Sequence, residues 1–248
     1  MFRLLCVTAH PDDEAAGFGG SLRLYHERGV ETCVVCLTPG QAATHRGDAR
    51  NDHELATLRR NEFAASCTIL GIDRGVVLDY ADGRLHRLEL YSVVREVVRH
   101  IREFRPHVML TFGPEGGVTG HTDHSMASLF ATLAYEWAGR SNRYPDQLSD
   151  GMKAHRAQKL YYATASFTLP DRPQVAPSPV TTVIQIGHYL ETKIAAFEAH
   201  TTQAPVFPKV RDHILARGRE ELFHLAARSE PATIRREDDL FAGVSENE

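Results

Sequence analysis

The chain has 248 residues, 42% of them apolar and 24% charged, with a formal net charge of −4 spread along its length. That composition suits one globular unit with a real core and argues against disorder or a fibrous repeat, and the weak negative balance leaves no basic footprint for nucleic acid. No apolar run approaches the ~20 residues of a membrane span, and the N-terminal apolar stretch is too short for a signal-peptide core, so a cytoplasmic protein with no transmembrane segment is expected. The four cysteines, Cys6, Cys33, Cys36 and Cys67, lie in strand-like or helical apolar runs. Cys33 and Cys36 spell C-x-x-C, but positions three apart on a strand point to opposite faces, which disfavours a shared redox or metal role.

Residues 3–9 read as a buried strand, and Ala15, Phe18, Leu22 and Tyr25 then repeat at helical spacing until Gly29. A second strand is expected at 31–37, a helix over 52–70 ending at Gly71, and a short strand at 76–79. Leu90, Val93, Val94, Val97, Val98 and Ile101 form the cleanest helical stripe, and Pro106 stops it before a fourth strand, HVMLTF. Met126, Leu129, Phe130, Leu133, Ala134 and Trp137 mark another helix. Loops at 139–151 and 168–180 flank a strand near 158–165, and a strand TTVIQI precedes helical patterns at 188–200 and 209–227. Residues 1–228 are expected to form a single α/β domain and 229–248 a loosely ordered charged tail.

Alternating strands and helices imply a Rossmann-like α/β fold, a mostly parallel sheet with helices on both faces. With strands one and four side by side, ligands bind outside their carboxyl ends, where the winding reverses. The first strand delivers His10-Pro11-Asp12-Asp13-Glu14 there, and the fourth delivers a loop ending His121-Thr122-Asp123-His124. One or two acids at a helix start need no function, because they meet free amides and the positive end of the dipole. Three acids and a histidine exceed that need. A divalent metal such as zinc takes imidazole nitrogen and carboxylate oxygen, commonly three protein ligands with one position open. His10, one carboxylate of the Asp12-Asp13 pair and one histidine of H-T-D-H supply such a set, with a carboxylate and a histidine left over for acid–base work in hydrolysis. Gly17-Phe18-Gly19-Gly20 lacks the G-x-G-x-x-G spacing and falls inside the first helix, so it reads as close packing and not as a dinucleotide cradle.

A-H-P-D-D-E after the first strand, with a distal H-x-x-H opening a helix, resembles the PIG-L/LmbE-like family of zinc-dependent N-acetylglucosaminyl de-N-acetylases. Arg59-x-x-Glu62 leading to Leu70-Gly71, then Asp79-Tyr80-Ala81-Asp82-Gly83, and the late Lys193, His200, Gln203 pattern extend the likeness to about residue 205. The resemblance implies an LmbE-like fold and hydrolysis of the acetamide of a small-molecule N-acetylated sugar conjugate. It makes His10, Asp13 and His124 the ligands of Zn2+, with Fe2+ as an alternative ion. Asp12 becomes the general base, while His121 stabilises the oxyanion as a cation or protonates the leaving amine, and Asp123 orients its imidazole. Arg59 and Asp82 would contact the sugar. Glu14 reads as a helix-start residue or a supporting partner of the site. Many relatives carry Gly-Glu after strand two, where this chain has Gly40-Gln41. An amidase of a thiol-sugar conjugate on the same metal site and a metal-dependent sugar-binding non-enzyme stand as alternatives, and homo-oligomer formation stays open.

Overall fold

Six residues, Arg3–Thr8, form the first strand, β1, and all but the first are buried. A strand apolar on both faces must lie inside a sheet covered by helices, and β1 pairs in parallel with β2 (Glu31–Cys36) on one side and β4 (Val108–Phe112) on the other. The computed structural model describes residues 1–169, 172 and 174–246, so parts of the 168–180 loop and of the tail lie outside the described residues. Those described form one sheet in the order β3-β2-β1-β4-β5-β7-β6, with β3 at Arg74–Val77, β5 at Lys159–Thr164, β6 at Thr182–Gln185 and β7 at Glu220–Arg228. The five strands β3 to β5 run parallel, and β7 runs antiparallel between β5 and β6.

Right-handed crossovers then put helices on both faces, because the path moves one way from β1 to β3 and the other way from β4 to β5. Helix α1 (Asp13–Glu27) and α2 (Asp52–Leu70) pack with α6 (Leu190–Glu198), and α3 (Leu90–Phe104) packs with α4 (Thr122–Ala138). Local chemistry sets the ends. Asn51 caps α2 by accepting from the Glu54 N–H at 2.9 Å, and Gly71 closes it at φ 74°. Gly20 explains part of the small-residue run in α1, since a Cβ there would collide with the Ile186 side chain.

Two sequence expectations need correction. The helix expected over 209–227 stops: α7 spans Phe207–Arg217, Gly218 follows, and β7 takes over with buried residues at every second position from Glu221 to Leu225. The tail expected to be loose from Ser229 is exposed over 230–236 but then returns to the sheet. Glu237 accepts hydrogen bonds from Lys159 Nζ at 2.9 Å and from Tyr161 Oη at 2.5 Å, and Leu240 is fully buried. A short helix, α5 (Pro145–Ser149), stands inside the 139–151 loop, which Arg102 clamps by donating to the carbonyls of Ala138, Arg140, Arg143 and Tyr144. All four cysteines are free and buried, and burial pushes the Cys33 thiol up to about 12.

Candidate active site

The chain reverses direction around β1 and β4, and the loops leaving both strands meet in the crevice between them. His10, His121 and His124 offer ring nitrogens all within 4.8 Å of one another. Asp13 Oδ1 lies 3.1 Å from His124 Nε2, and its Oδ2 lies 3.6 Å from His10 Nδ1 while accepting the backbone N–H groups of Ala9 and His10. One carboxylate oxygen of Asp13 therefore anchors the turn, and the other faces the histidines. The positions His10, Asp13 and His124 named from the sequence come together, with His121 beside them at ring-centroid distances of 4.9 and 5.1 Å from His10 and His124.

Each imidazole is oriented by a neighbour. The His124 ring stacks on Phe112 at 4.0 Å, and its Nδ1 lies 3.3 Å from the Gly116 carbonyl, which can only accept. A proton on Nδ1 would leave Nε2, 3.1 Å from Asp13 Oδ1, free to ligate an ion beside that carboxylate. His121 caps α4: its Nδ1 accepts the Asp123 N–H at 3.1 Å, so the neutral ring carries its proton on Nε2. Burial pushes His121 below the ordinary histidine range, and the charges of His10 and His124 push the same way. In its neutral form the ring presents Nε2–H as a donor. The expected orienting role of the Asp123 carboxylate is corrected, because that group accepts the N–H groups of Gly83 and Leu85 and lies 3.4 Å from His10 Nε2. Among the described residues, the hydrogen bond to the His121 ring comes from the Asp123 backbone N–H.

A metal is implied by the family likeness, and the donor set can be tested against it. His10 Nδ1 lies 3.6 Å from Asp13 Oδ2, while its Nε2 lies 3.0 Å from Asp82 Oδ1 and 3.4 Å from Asp123 Oδ2. Burial opposes a charge on His10, yet Asp123, Asp82 and Asp13 outweigh it and lift the ring's pKa to about 10. Converging carboxylates thus demand positive charge at this point, and two imidazoles with a carboxylate match a borderline divalent ion. The residues fit. A second grouping, His10 with Asp82 and Asp123, shares the same histidine.

Asp12 is the most constrained residue of the site. It has φ 108°, a conformation that costs a non-glycine residue about 1–3 kcal/mol and persists only when its surroundings enforce it. Its N–H donates to Glu14 Oε2 at 2.9 Å, and Arg59 Nη2 donates to its Oδ2 at 2.8 Å and also to the Pro11 carbonyl. Burial raises the Asp12 carboxyl to about 6, with Asp13 and Glu14 adding to the rise and Arg59 and His200 opposing it. Its side chain remains 23% exposed, and burial moves it toward the range useful for proton transfer.

Arg59 and Asp82, expected to contact a sugar, are engaged otherwise. The Arg59 side chain is 3% exposed, and its Nη1 donates to the Gly40 carbonyl at 3.1 Å. Gly40 itself, at φ 67°, leaves no room for a Cβ against that guanidinium, which explains the glycine ahead of Gln41. Asp82, 9% exposed at its side chain, faces His10 and accepts the Ala42 N–H at 3.0 Å. Both hold site residues in place. Sequence reasoning gave no role to His200 or Ser66, which are fully buried and donate to Glu14 Oε1 at 2.7 and 2.6 Å. Glu14 is correspondingly a supporting partner of the site.

Comparison with known proteins agrees with this geometry. Residues 5–135 match the family described as PIG-L: GlcNAc-PI de-N-acetylase. The chain is 30% identical over 292 residues to the 1D-myo-inositol 2-acetamido-2-deoxy-alpha-D-glucopyranoside deacetylase of Rhodococcus jostii, covering 98% of both chains. It is 30% identical over 203 residues to the diacetylchitobiose deacetylase of Thermococcus kodakarensis, covering 82% of this chain and 70% of that one. Among solved structures, N,N'-diacetylchitobiose deacetylase from Pyrococcus horikoshii superposes with a TM-score of 0.75 at 22% identity, covering 90% of this chain and 83% of the other. The 4-carboxy-2-hydroxymuconate hydratase GalB superposes with a TM-score of 0.74 at 21% identity, covering 94% and 99%, so the fold alone does not fix the reaction. On the sequence match, which spans both loops of the crevice, the chain belongs to the PIG-L (LmbE-like) family.

Proposed function

We propose that this chain is a metal-dependent hydrolase that removes the acetyl group from an N-acetylglucosamine-type conjugate. The observation that carries this reading is Asp12, a carboxylate held at φ 108° beside the His10, Asp13 and His124 cluster. A binding module has no use for a strained, partly exposed carboxylate clamped by a buried arginine next to that cluster in sequence. The deacetylases of Rhodococcus jostii and Thermococcus kodakarensis supply the substrate class.

His10, Asp13 and His124 would hold the ion, zinc by donor type with ferrous iron as the alternative. When bound, such an ion polarises the amide carbonyl and acidifies water. The chain's own residues do the rest. Asp12 would accept one proton of the attacking water and return it to the leaving amine nitrogen, so that amide and water become amine and acetic acid, whose own proton then passes to the amine or solvent. His121 Nε2–H donates to the oxygen that gains charge as the carbonyl carbon becomes tetrahedral, and a donor of this kind contributes roughly 10²–10³ in turnover. Arg59 and Glu14 keep the base in place throughout.

Mycothiol S-conjugate amidase of Streptomyces coelicolor, 28% identical over 297 residues, keeps a thiol-sugar amide as the second candidate substrate. Among the described residues no helix is long and apolar enough to cross a membrane, and four free buried thiols suit a reducing compartment such as the cytoplasm. The test is release of primary amine from a panel of N-acetylated glycosides and thiol-sugar amides. Asp12→Ala is expected to keep metal and lose nearly all turnover, whereas His10→Ala loses both. Equal loss of metal in the two variants would contradict this division of roles between base and ligand.

A further inference from the structure

Behind Asp12 lies a chain of buried side chains that direct participation in amide hydrolysis does not require. Glu14 is fully buried, and both of its carboxylate oxygens are engaged: Oε2 takes the Asp12 N–H at 2.9 Å, and Oε1 takes Ser66 Oγ at 2.6 Å and His200 Nε2 at 2.7 Å. Ordinary capping accounts for the first bond, since an acid in the opening turn of a helix reaches back to the capping residue's amide. It accounts for neither of the others. His200 follows α6 and lies 186 residues beyond Glu14 in sequence. Its Nδ1 has no partner among the described residues, so Glu14 is the one polar group that fixes it.

The geometry points to a mechanical role. Asp12 lies far outside the conformations an L residue adopts by default, and its carboxylate direction depends on that backbone angle. If Glu14 could rotate, the Asp12 amide would lose its acceptor and the residue would relax to negative φ, moving the carboxylate away from the crevice. Arg59 holds the carboxylate and, through the Pro11 carbonyl, one edge of the peptide plane ahead of Asp12, while Glu14 holds the N–H on its other edge. We propose that Glu14 and His200 are positioning residues for Asp12: the buried His200–Glu14 pair, with Ser66, locks the base's backbone in its strained conformation and so aims its carboxylate. The proposal rests on Asp12 being the base, and it predicts that His200 acts on turnover only through Asp12.

The experiment is a double-mutant cycle on the metal-loaded full chain, read as kcat, KM and metal content, with a crystal structure of the His200→Ala variant. Misplacing a reacting group by about 1 Å can cost about 100-fold, so His200→Ala is expected to lower kcat by roughly 30- to 100-fold with KM within about twofold and metal content unchanged. His200→Gln, whose amide can still donate to Glu14, is expected to recover most of that loss. In an Asp12→Ala background the residual rate should be indifferent to His200→Ala, and the crystal structure should show Asp12 at negative φ. The same fractional loss in both backgrounds, or loss of metal, would overturn the proposal, because each marks general destabilisation. Should His200→Ala fail to fold, Ser66→Ala removes a bond to the same oxygen without emptying a ring's volume. A loss of about 3- to 10-fold that vanishes in the Asp12→Ala background supports the proposal, and an unchanged rate overturns it. If the wild-type chain hydrolyses none of the N-acetylated glycosides, the functional reading fails, and the Asp12 φ in the crystal still decides whether His200 positions that residue.

Discussion

Replacing Arg59 with methionine keeps most of the side-chain volume and removes a guanidinium that donates to three acceptors: Asp12 Oδ2 at 2.8 Å, the Gly40 carbonyl at 3.1 Å, and the Pro11 carbonyl. A hydrogen bond to a charged group contributes about 1.5–3 kcal/mol. If that energy serves to hold the base for reaction, kcat should fall roughly 10- to 150-fold, at about 1.4 kcal/mol per tenfold. Because Arg59 is 3% exposed and contacts no open face of the crevice, KM should stay within about twofold. Arg59→Lys should fall between the two, since an ammonium keeps the charge but cannot serve the same three acceptors with a planar fork. The assay is steady-state hydrolysis of the best N-acetylated glycoside, with metal content and circular dichroism measured on the same samples. A KM that rises tenfold with kcat held would refute this reasoning and return Arg59 to the sugar-contacting role its sequence position suggested.

Other perturbations test the frame around the site. Glu237→Ala leaves the Lys159 ammonium, 1% exposed, without its carboxylate, and breaking one side of a buried pair costs about 3–5 kcal/mol. For a chain of this size that corresponds to a melting temperature lower by roughly 6–20 °C, and a shift under about 2 °C would mean that the tail is not anchored by this contact. His155 is buried with Nε2 donating to the Pro106 carbonyl at 2.7 Å, and burial lowers it to about 4, aided by the nearby Arg105. A depressed histidine contributes stability that is complete above its unfolded value near 6.5 and is lost as pH falls toward 4, up to about 3 kcal/mol. Urea titrations from pH 7.5 to 4.5 should therefore show a steeper loss in the wild type than in His155→Gln; parallel curves would remove His155 from the acid response.

The motifs of the crevice were legible because each is short and local. His10 to Asp13 follow a run of apolar residues that had to be a central strand, and His121 to His124 open a helix, so strand order alone brought them together. What could not be read is what depends on partners far away in sequence. Arg59 could be placed on a helix but not buried under Asp12, and no local pattern announces that His200 meets Glu14. The strand β7 was hidden by apolar residues that also suit a helix face, although Gly218 marked the break. In α4 the stripe read from the sequence includes the fully buried Phe130 and Ala134, but Ala127, Ala131 and Ala138 share that buried face while Leu129 remains 43% exposed. Asp12 shows the reverse case. Its motif was obvious, and its strained backbone, the feature that most marks it as functional, was not.

The most direct measurement is anomalous diffraction from crystals grown with zinc, which locates the ion and its ligands independently of any substrate. The expected result is one ion bound by His10, Asp13 and His124, with the Asp12 carboxylate close by but not coordinating. An ion held instead by His10, Asp82 and Asp123, the other cluster that shares this histidine, would contradict the assignment of ligands and base.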